Sequence, residues 1–217
     1  MEVVASNRQG NRSSLCDLRS TMTNPTPPSK TDPNKGFWRS LILWAVLALF
    51  LRWYVVEPRW IPSGSMLPTL QLQDRILVEK LRPRIQRIQH SHLHRNDVVV
   101  FEPPEQLIAS GYDANAALIK RLVGLPGDVL AVEGGVLIRN GEPVNEPWLS
   151  ERMDYAMEPI TVPEDQLWVM GDNRNASLDS HLWGTLPEEN VIGTAIWRYW
   201  PLKQFGPIRF SPTSDRG

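Results

Sequence analysis

Residues Phe37 to Val56 read FWRSLILWAVLALFLRWYVV, a run whose apolar side chains fall on every side of a helix. At 1.5 Å rise per residue, such a run spans about 30 Å, the thickness of a bilayer's hydrocarbon core. A helix that is apolar all round has no polar face to give to water, so the segment is expected to be a single transmembrane anchor. Arg39 and Arg52 stand near the ends, within snorkelling reach of head groups, and Trp38 and Trp53 stand at interfacial depth. A removable leader does not fit, because no small-x-small cleavage site follows. A buried helix does not fit either, given the apolar surround and the break at Pro58. Lys30, Lys35 and Arg39 on one side balance Arg52, Arg59 and Arg75 on the other, so flanking charge leaves the orientation open.

The chain has 217 residues, enough for one domain beside the anchor. Residues 1–36 are rich in Ser, Thr, Asn, Pro and charge, with too little apolar surface to offset ordering, and are expected to form a disordered tail. From residue 57 to about 212 the pattern is strand-like. Arg75 to Glu79, Asp97 to Phe101, Gln166 to Met170 and Thr194 to Tyr199 are short, β-branched or aromatic, and bounded by turn residues. Gly134-Gly135 and Asn140-Gly141 mark two tight turns joining three short strands. No long amphipathic helix follows residue 57, so the expected fold is a mainly β domain behind the anchor, with a short tail at 213–217. A net charge of −1 provides no global field towards nucleic acid. Cys16 is the only cysteine, which excludes an intramolecular disulfide and a cysteine-based metal site.

Three segments carry possible chemistry. In IPSGSMLPTL, Ser65 follows Gly64 and is bracketed by Pro62 and Pro68, with a second hydroxyl at Ser63. Alone, this reads as a plain surface turn. In LIKRLV, a strand sets Leu118, Lys120 and Leu122 on one face and Ile119, Arg121 and Val123 on the other. Each face therefore carries a cation between two aliphatic neighbours, whereas a surface strand would segregate them. Burial lowers a lysine pKa by up to about 3–5 units, and a neutral amine can take a proton from a serine. Alone, Lys120 also fits a snorkelling edge-strand lysine. The third segment, GDNRNASLDSHLWG at Gly171 to Gly184, concentrates hydrogen-bonding groups that are costly to order unless they bond one another.

Together and in this order, PSGSMLPTL, DRILVEK, NDVVVF, KRLVGLPGD and GDNRNASLDSHLWG resemble the type I signal peptidases (leader peptidases), over about residues 50–203. The resemblance implies a membrane-bound Ser-Lys endopeptidase that cuts signal peptides from exported preproteins after small-x-small (Ala-x-Ala) sites through an acyl-enzyme. It implies Ser65 as nucleophile and Lys120 as general base. Ser63 and the Ser65 amide would form the oxyanion hole, and Ser177 would hydrogen-bond and orient Lys120. Asp179 would be a structural acid beside the site, and Arg121 with Asp172 a supporting ion pair. Ile61, Pro62, Met66, Leu70, Leu118 and Ile119 would line the substrate groove. The implied enzyme is a monomer with no cofactor or metal. Its N-terminus would lie in the cytoplasm and its catalytic domain on the extracytoplasmic side of a plasma or thylakoid-type membrane. Three positions depart from the usual pattern. Asn96 stands where glycine is usual, Ala176 where bacterial relatives have Asn, and His181 where they have Arg, which is expected to weaken a salt bridge to Asp179.

His90, His92 and His94 alternate, but their polar, arginine-flanked surroundings indicate an exposed loop rather than a zinc site. Trp197, Tyr199, Trp200 and Phe205 crowd the C-terminal end, as core packing or as an edge resting on the bilayer. A tethered β-domain that only binds partners is the main alternative, and the presence of both Ser65 and Lys120 argues against it. A self-cleaving repressor-type Ser-Lys protein would lack the anchor. A penicillin-recognising enzyme would need a Ser-x-x-Lys motif, which the chain does not contain.

Overall fold

A computed structural model describes residues 33–50, 52, 55–80 and 93–208. Helix α1 is Pro33–Phe50, 18 residues long, with every residue from 36 to 50 exposed. It starts four residues before the expected anchor and takes in part of the expected tail. Pro33 suits a first helical turn, where its fixed φ is favourable and its missing N–H is not needed. At the other end, Val56 is the first residue of a strand rather than the last of a span. Among the described residues no helix is long and apolar enough to cross a membrane. Residues 51, 53 and 54, the tail 1–32, His90, His92 and the C-terminal tail lie outside the described residues.

Residues 56–80 and 93–208 form a mainly β domain with two antiparallel sheets. The larger runs β1 (Val56–Trp60), β2 (Arg75–Glu79), β11 (Val191–Trp200), β3 (Val98–Phe101), β4 (Leu118–Gly124), β9 (Gln166–Met170) and β10 (Leu186–Pro187), with β12 (Gly206–Pro207) added to β11. The smaller runs β7 (Glu142–Pro143), β6 (Val136–Arg139), β5 (Val129–Glu133) and β8 (Met157–Thr161). Gly134 and Gly135 link β5 to β6, and Asn140 and Gly141 link β6 to β7, all four with positive φ. That is the backbone a two-residue hairpin of matching twist requires. Two short helices, α2 (Glu105–Ala109) and α3 (Ser180–Trp183), complete the domain.

The alternation expected of a half-buried strand holds for β2, where Ile76 and Val78 point into the core. β4 differs, since all seven of its residues are buried. It lies between β3 and β9, with Lys120 opposite Val99 and Arg121 opposite both Val98 and Met170. Ile119 joins the cluster of Ile61, Met66, Leu70 and Ile76, while Leu118 and Leu122 join that of Val99, Phe101 and Val169. Packing on both faces of β4 removes its two cations from water.

Candidate active site

The turn that carries Ser65 is held from below by its neighbours. Ile61, Met66 and Leu70 are buried in one apolar cluster, and Ile61 N donates to Asp74 O while Gln73 N donates to Ile61 O, each at 2.9 Å. From the side, Asn173 N donates to Ser65 O at 3.0 Å and Asn173 Nδ2 to Gly64 O at 3.3 Å. The 171–177 loop is thereby tied to the Ser65 backbone, and Ser65 Oγ faces β4.

Lys120 arrives from β4 with 3% of its surface exposed, against 9% for Ser65. Its Nζ donates to Ser65 Oγ at 2.8 Å and to Ile119 O at 3.1 Å. Burial pulls the amine down from 10.5 to about 8, while the negative charges of Asp179 and Asp172 push it back up. The fall is smaller than a fully apolar pocket would give because those two carboxylates favour the ammonium. Near neutral pH a minor but substantial share of Lys120 is an uncharged base within reach of a hydroxyl. Ser63 Oγ lies 3.3 Å from Ser65 Oγ, and the Ser65 N–H donates to no acceptor among the described residues.

Beside Lys120, Arg121 forms a wholly buried fork with Asp172, Nε to Oδ1 at 2.7 Å and Nη2 to Oδ2 at 2.6 Å. Thr69 Oγ1 donates to Asp172 Oδ2 at 2.5 Å, Arg121 Nη1 donates to Asn96 O at 2.8 Å, and the guanidinium lies 4.4 Å from the Trp148 ring centroid. A planar guanidinium satisfies a carboxylate with two parallel bonds, which is what makes such burial tolerable. Asp179, fully buried, caps α3 and accepts from Gly171 N at 2.8 Å and His181 N at 3.2 Å.

A family model described as signal peptidase, peptidase S26, matches residues 35–200. The chain belongs to the signal peptidase family. The signal peptidase I of Leptolyngbya laminosa is 40% identical over 93% of this chain and 99% of its own. A probable signal peptidase I-1 of Synechocystis sp. is 46% identical over 77% of this chain and 83% of its own. A probable chloroplastic thylakoidal processing peptidase 2 of Arabidopsis thaliana is 43% identical over 75% of this chain and 43% of its own. The enzyme class is that of the family, signal peptidase I, a serine peptidase.

Of the residues the signal peptidase resemblance singled out, Ser65, Ser63, Lys120, Arg121, Asp172 and Asp179 come together in one place. Ser177 is buried, yet its Oγ makes no hydrogen bond among the described residues, so the expected bond to Lys120 is not made in this structure. Its Oγ lies over Gly171 instead, 2.2 Å from where a Cβ there would sit. Among the groove residues, Ile61, Met66, Leu70 and Ile119 share one cluster, Leu118 belongs to another, and Pro62 is at the surface. Met66 and Leu70 expose no surface and act as pegs beneath the turn.

The departures from the signal peptidase pattern have physical accounts. Asn96 adopts φ 76°, the left-handed region in which glycine is favoured and asparagine is the best-tolerated alternative. Ala176 is exposed. His181 keeps a direct contact with Asp179, with Nδ1 2.7 Å from Asp179 Oδ1 and the imidazole stacked on Tyr155 at 4.4 Å. Stacking holds the ring in place of the longer reach of an arginine. Sequence reasoning missed Thr69, Trp148, Asn173 and Gly171. Thr69 and Asn173 lay inside the quoted motifs, and nothing local distinguished Trp148.

Proposed function

We propose that this chain removes N-terminal signal peptides from exported preproteins with Ser65 as nucleophile and Lys120 as general base. The 2.8 Å approach of Lys120 Nζ to Ser65 Oγ, both buried, carries the proposal. The neutral amine takes the hydroxyl proton as Oγ attacks the scissile carbonyl. Ser63 Oγ–H and the Ser65 N–H hold the developing oxyanion, a contribution of about 3–4 kcal/mol per donor. The ammonium gives its proton to the leaving amine, and Lys120, neutral again, activates the water that splits the acyl-enzyme. This is the triad logic with an amine in place of imidazole and no third member. Arg121 and Asp172 keep β4 in register. Apolar walls from Ile61 and Ile119 favour small residues at −3 and −1, the Ala-x-Ala pattern.

The chain works from a single-pass anchor in the apolar run that starts at residue 37 and ends before β1, with the N-terminal tail cytoplasmic and the β domain, the catalytic part, on the extracytoplasmic side. The supports are an apolar run without a polar face and its wholly exposed helical part. Incubating detergent-solubilised chain with a preprotein and sequencing the new N-terminus tests the chemistry. Wild type cuts after the small-x-small site. Ser65→Ala and Lys120→Met do not, and cutting by either at the normal site would remove these roles. Protease protection in sealed vesicles tests the topology.

A further inference from the structure

β1, β2 and β11 end in a common row. Their register sets Trp60 opposite Arg75, and Arg75 opposite Trp200. Directly opposed residues of antiparallel strands point to the same face, so the Arg75 side chain projects from the middle strand on the face that carries both indoles. Trp60 and Trp200 are 66% and 49% exposed. The Arg75 side chain is exposed and makes no ion pair or hydrogen bond among the described residues. The row opens a cleft of about 550 Å³ whose other walls include Arg59, Gln73 and Tyr199. Arg59 Nη2 pairs with Glu57 at 2.7 Å, while its Nε is buried and unbonded. Among the described residues no carboxylate lines the cleft. Leu72, Leu202 and Phe205 are exposed as well.

Scattered exposed apolar side chains are ordinary, but two indoles flanking an unpaired arginine make a specific chemical surface. Indole is favoured where hydrocarbon meets head groups, with the ring body towards the acyl chains and the N–H towards ester and phosphate oxygens. At that depth a guanidinium meets phosphate, which it binds with two parallel donors. A zwitterionic head group brings its own cation against Arg75 and Arg59, and an anionic one does not. Trp60 follows the end of α1 by ten positions, at most about 36 Å of extended chain, so an anchored chain keeps the row within reach of the bilayer surface.

We propose that the Trp60–Arg75–Trp200 cleft docks the phosphodiester head group of an anionic membrane lipid. This rests on the membrane anchoring proposed above and adds which lipid the catalytic domain contacts and through which side chains. It is tested with the full chain in nanodiscs of phosphatidylcholine containing a rising share of phosphatidylglycerol brominated near the head group. Indole fluorescence is read for wild type, Arg75→Gln and the Trp60→Phe/Trp200→Phe double variant. Phosphatidylglycerol is expected to quench wild type strongly and the double variant far less. Arg75→Gln is expected to need about five-fold more phosphatidylglycerol for the same quenching, while cleaving a short peptide in detergent at the wild-type rate. Equal quenching by brominated phosphatidylcholine, or no effect of Arg75→Gln, would overturn the proposal. So would loss of the lipid difference on adding inorganic phosphate at matched ionic strength, which would mark a free-anion site. Stripping of the wild-type chain from liposomes by carbonate would overturn the anchor and this site together, whatever occupies position 75.

Discussion

Lys120 Nζ donates to Ser65 Oγ at 2.8 Å across 55 positions of chain. The contact exists because β4 is covered on both faces and its register with β3 fixes Lys120 opposite Val99. With the amine lowered to about 8, the neutral fraction rises as pH rises through that value. Cleavage of a peptide substrate, measured as kcat/KM, should therefore climb about tenfold per pH unit below 8 and level off above it. A profile flat across pH 8 would remove Lys120 as the base.

The same buried amine costs stability. Its folded pKa lies below its unfolded value, so the unfolded chain binds the extra proton, and stability rises with pH between about 8 and 10.5. Below that window the penalty is fully present. A fall from 10.5 to about 8 corresponds to about 3 kcal/mol. Lys120→Met, similar in volume and uncharged, should raise Tm by several degrees at pH 7, and the gain should fade as pH approaches 10.5. Calorimetry at the two pH values checks this, and an equal gain at both would contradict it.

Ser63→Ala removes one hydroxyl at the surface, 3.3 Å from Ser65 Oγ. If that hydroxyl stabilises the oxyanion, kcat should fall about 10²–10³-fold with little change in KM. A rise in KM alone would assign Ser63 to substrate binding instead.

Gly171→Ala should harm activity far more than folding. The added Cβ would sit 2.5 Å from Ser65 O and 2.2 Å from Ser177 Oγ, so the nucleophile turn or the loop must shift. A shift of about 1 Å at the reacting atoms is enough for about a hundredfold loss of kcat. The check is kcat beside Tm, and wild-type kcat would show that the turn can yield without consequence.

Asp172→Asn leaves Arg121 without its carboxylate in a site where both side chains are fully buried. Breaking such a pair costs about 3–5 kcal/mol, a drop of about 10 °C in Tm for a domain of this size. Asp172 also holds the Lys120 amine up, so the pH–rate midpoint should move below 8 in whatever protein remains folded. A purely structural role would lower Tm and leave the midpoint in place.

Much of the β domain was legible locally. Alternation in Arg75 to Glu79, the hairpin turns at Gly134-Gly135 and Asn140-Gly141, and the β-branched run at Val98 to Phe101 each follow from short-range backbone and side-chain preferences. The two cations of β4 on opposite faces looked inconsistent with a surface strand, and both are indeed buried, because neighbours cover the strand on its two faces. That Ser177 makes no bond to Lys120, and that Leu118 packs apart from the other expected groove residues, were not legible. They depend on side-chain orientation and on which cluster claims each face, and strand periodicity carries neither.

By itself, the amino-acid sequence determined the apolar run at 37–56, the strand pattern and the polar motifs that resemble the signal peptidases. All of these are properties of neighbouring residues. Only the tertiary structure decided that Asn173 ties down Ser65, that Trp148 lies beside the Arg121 guanidinium, that stacking on Tyr155 holds His181, and that Trp60, Arg75 and Trp200 form one row. The physical reason is that these contacts join residues far apart in the chain. Their distances are set by sheet register and by burial on both faces of β4, which exist only once the whole domain has closed.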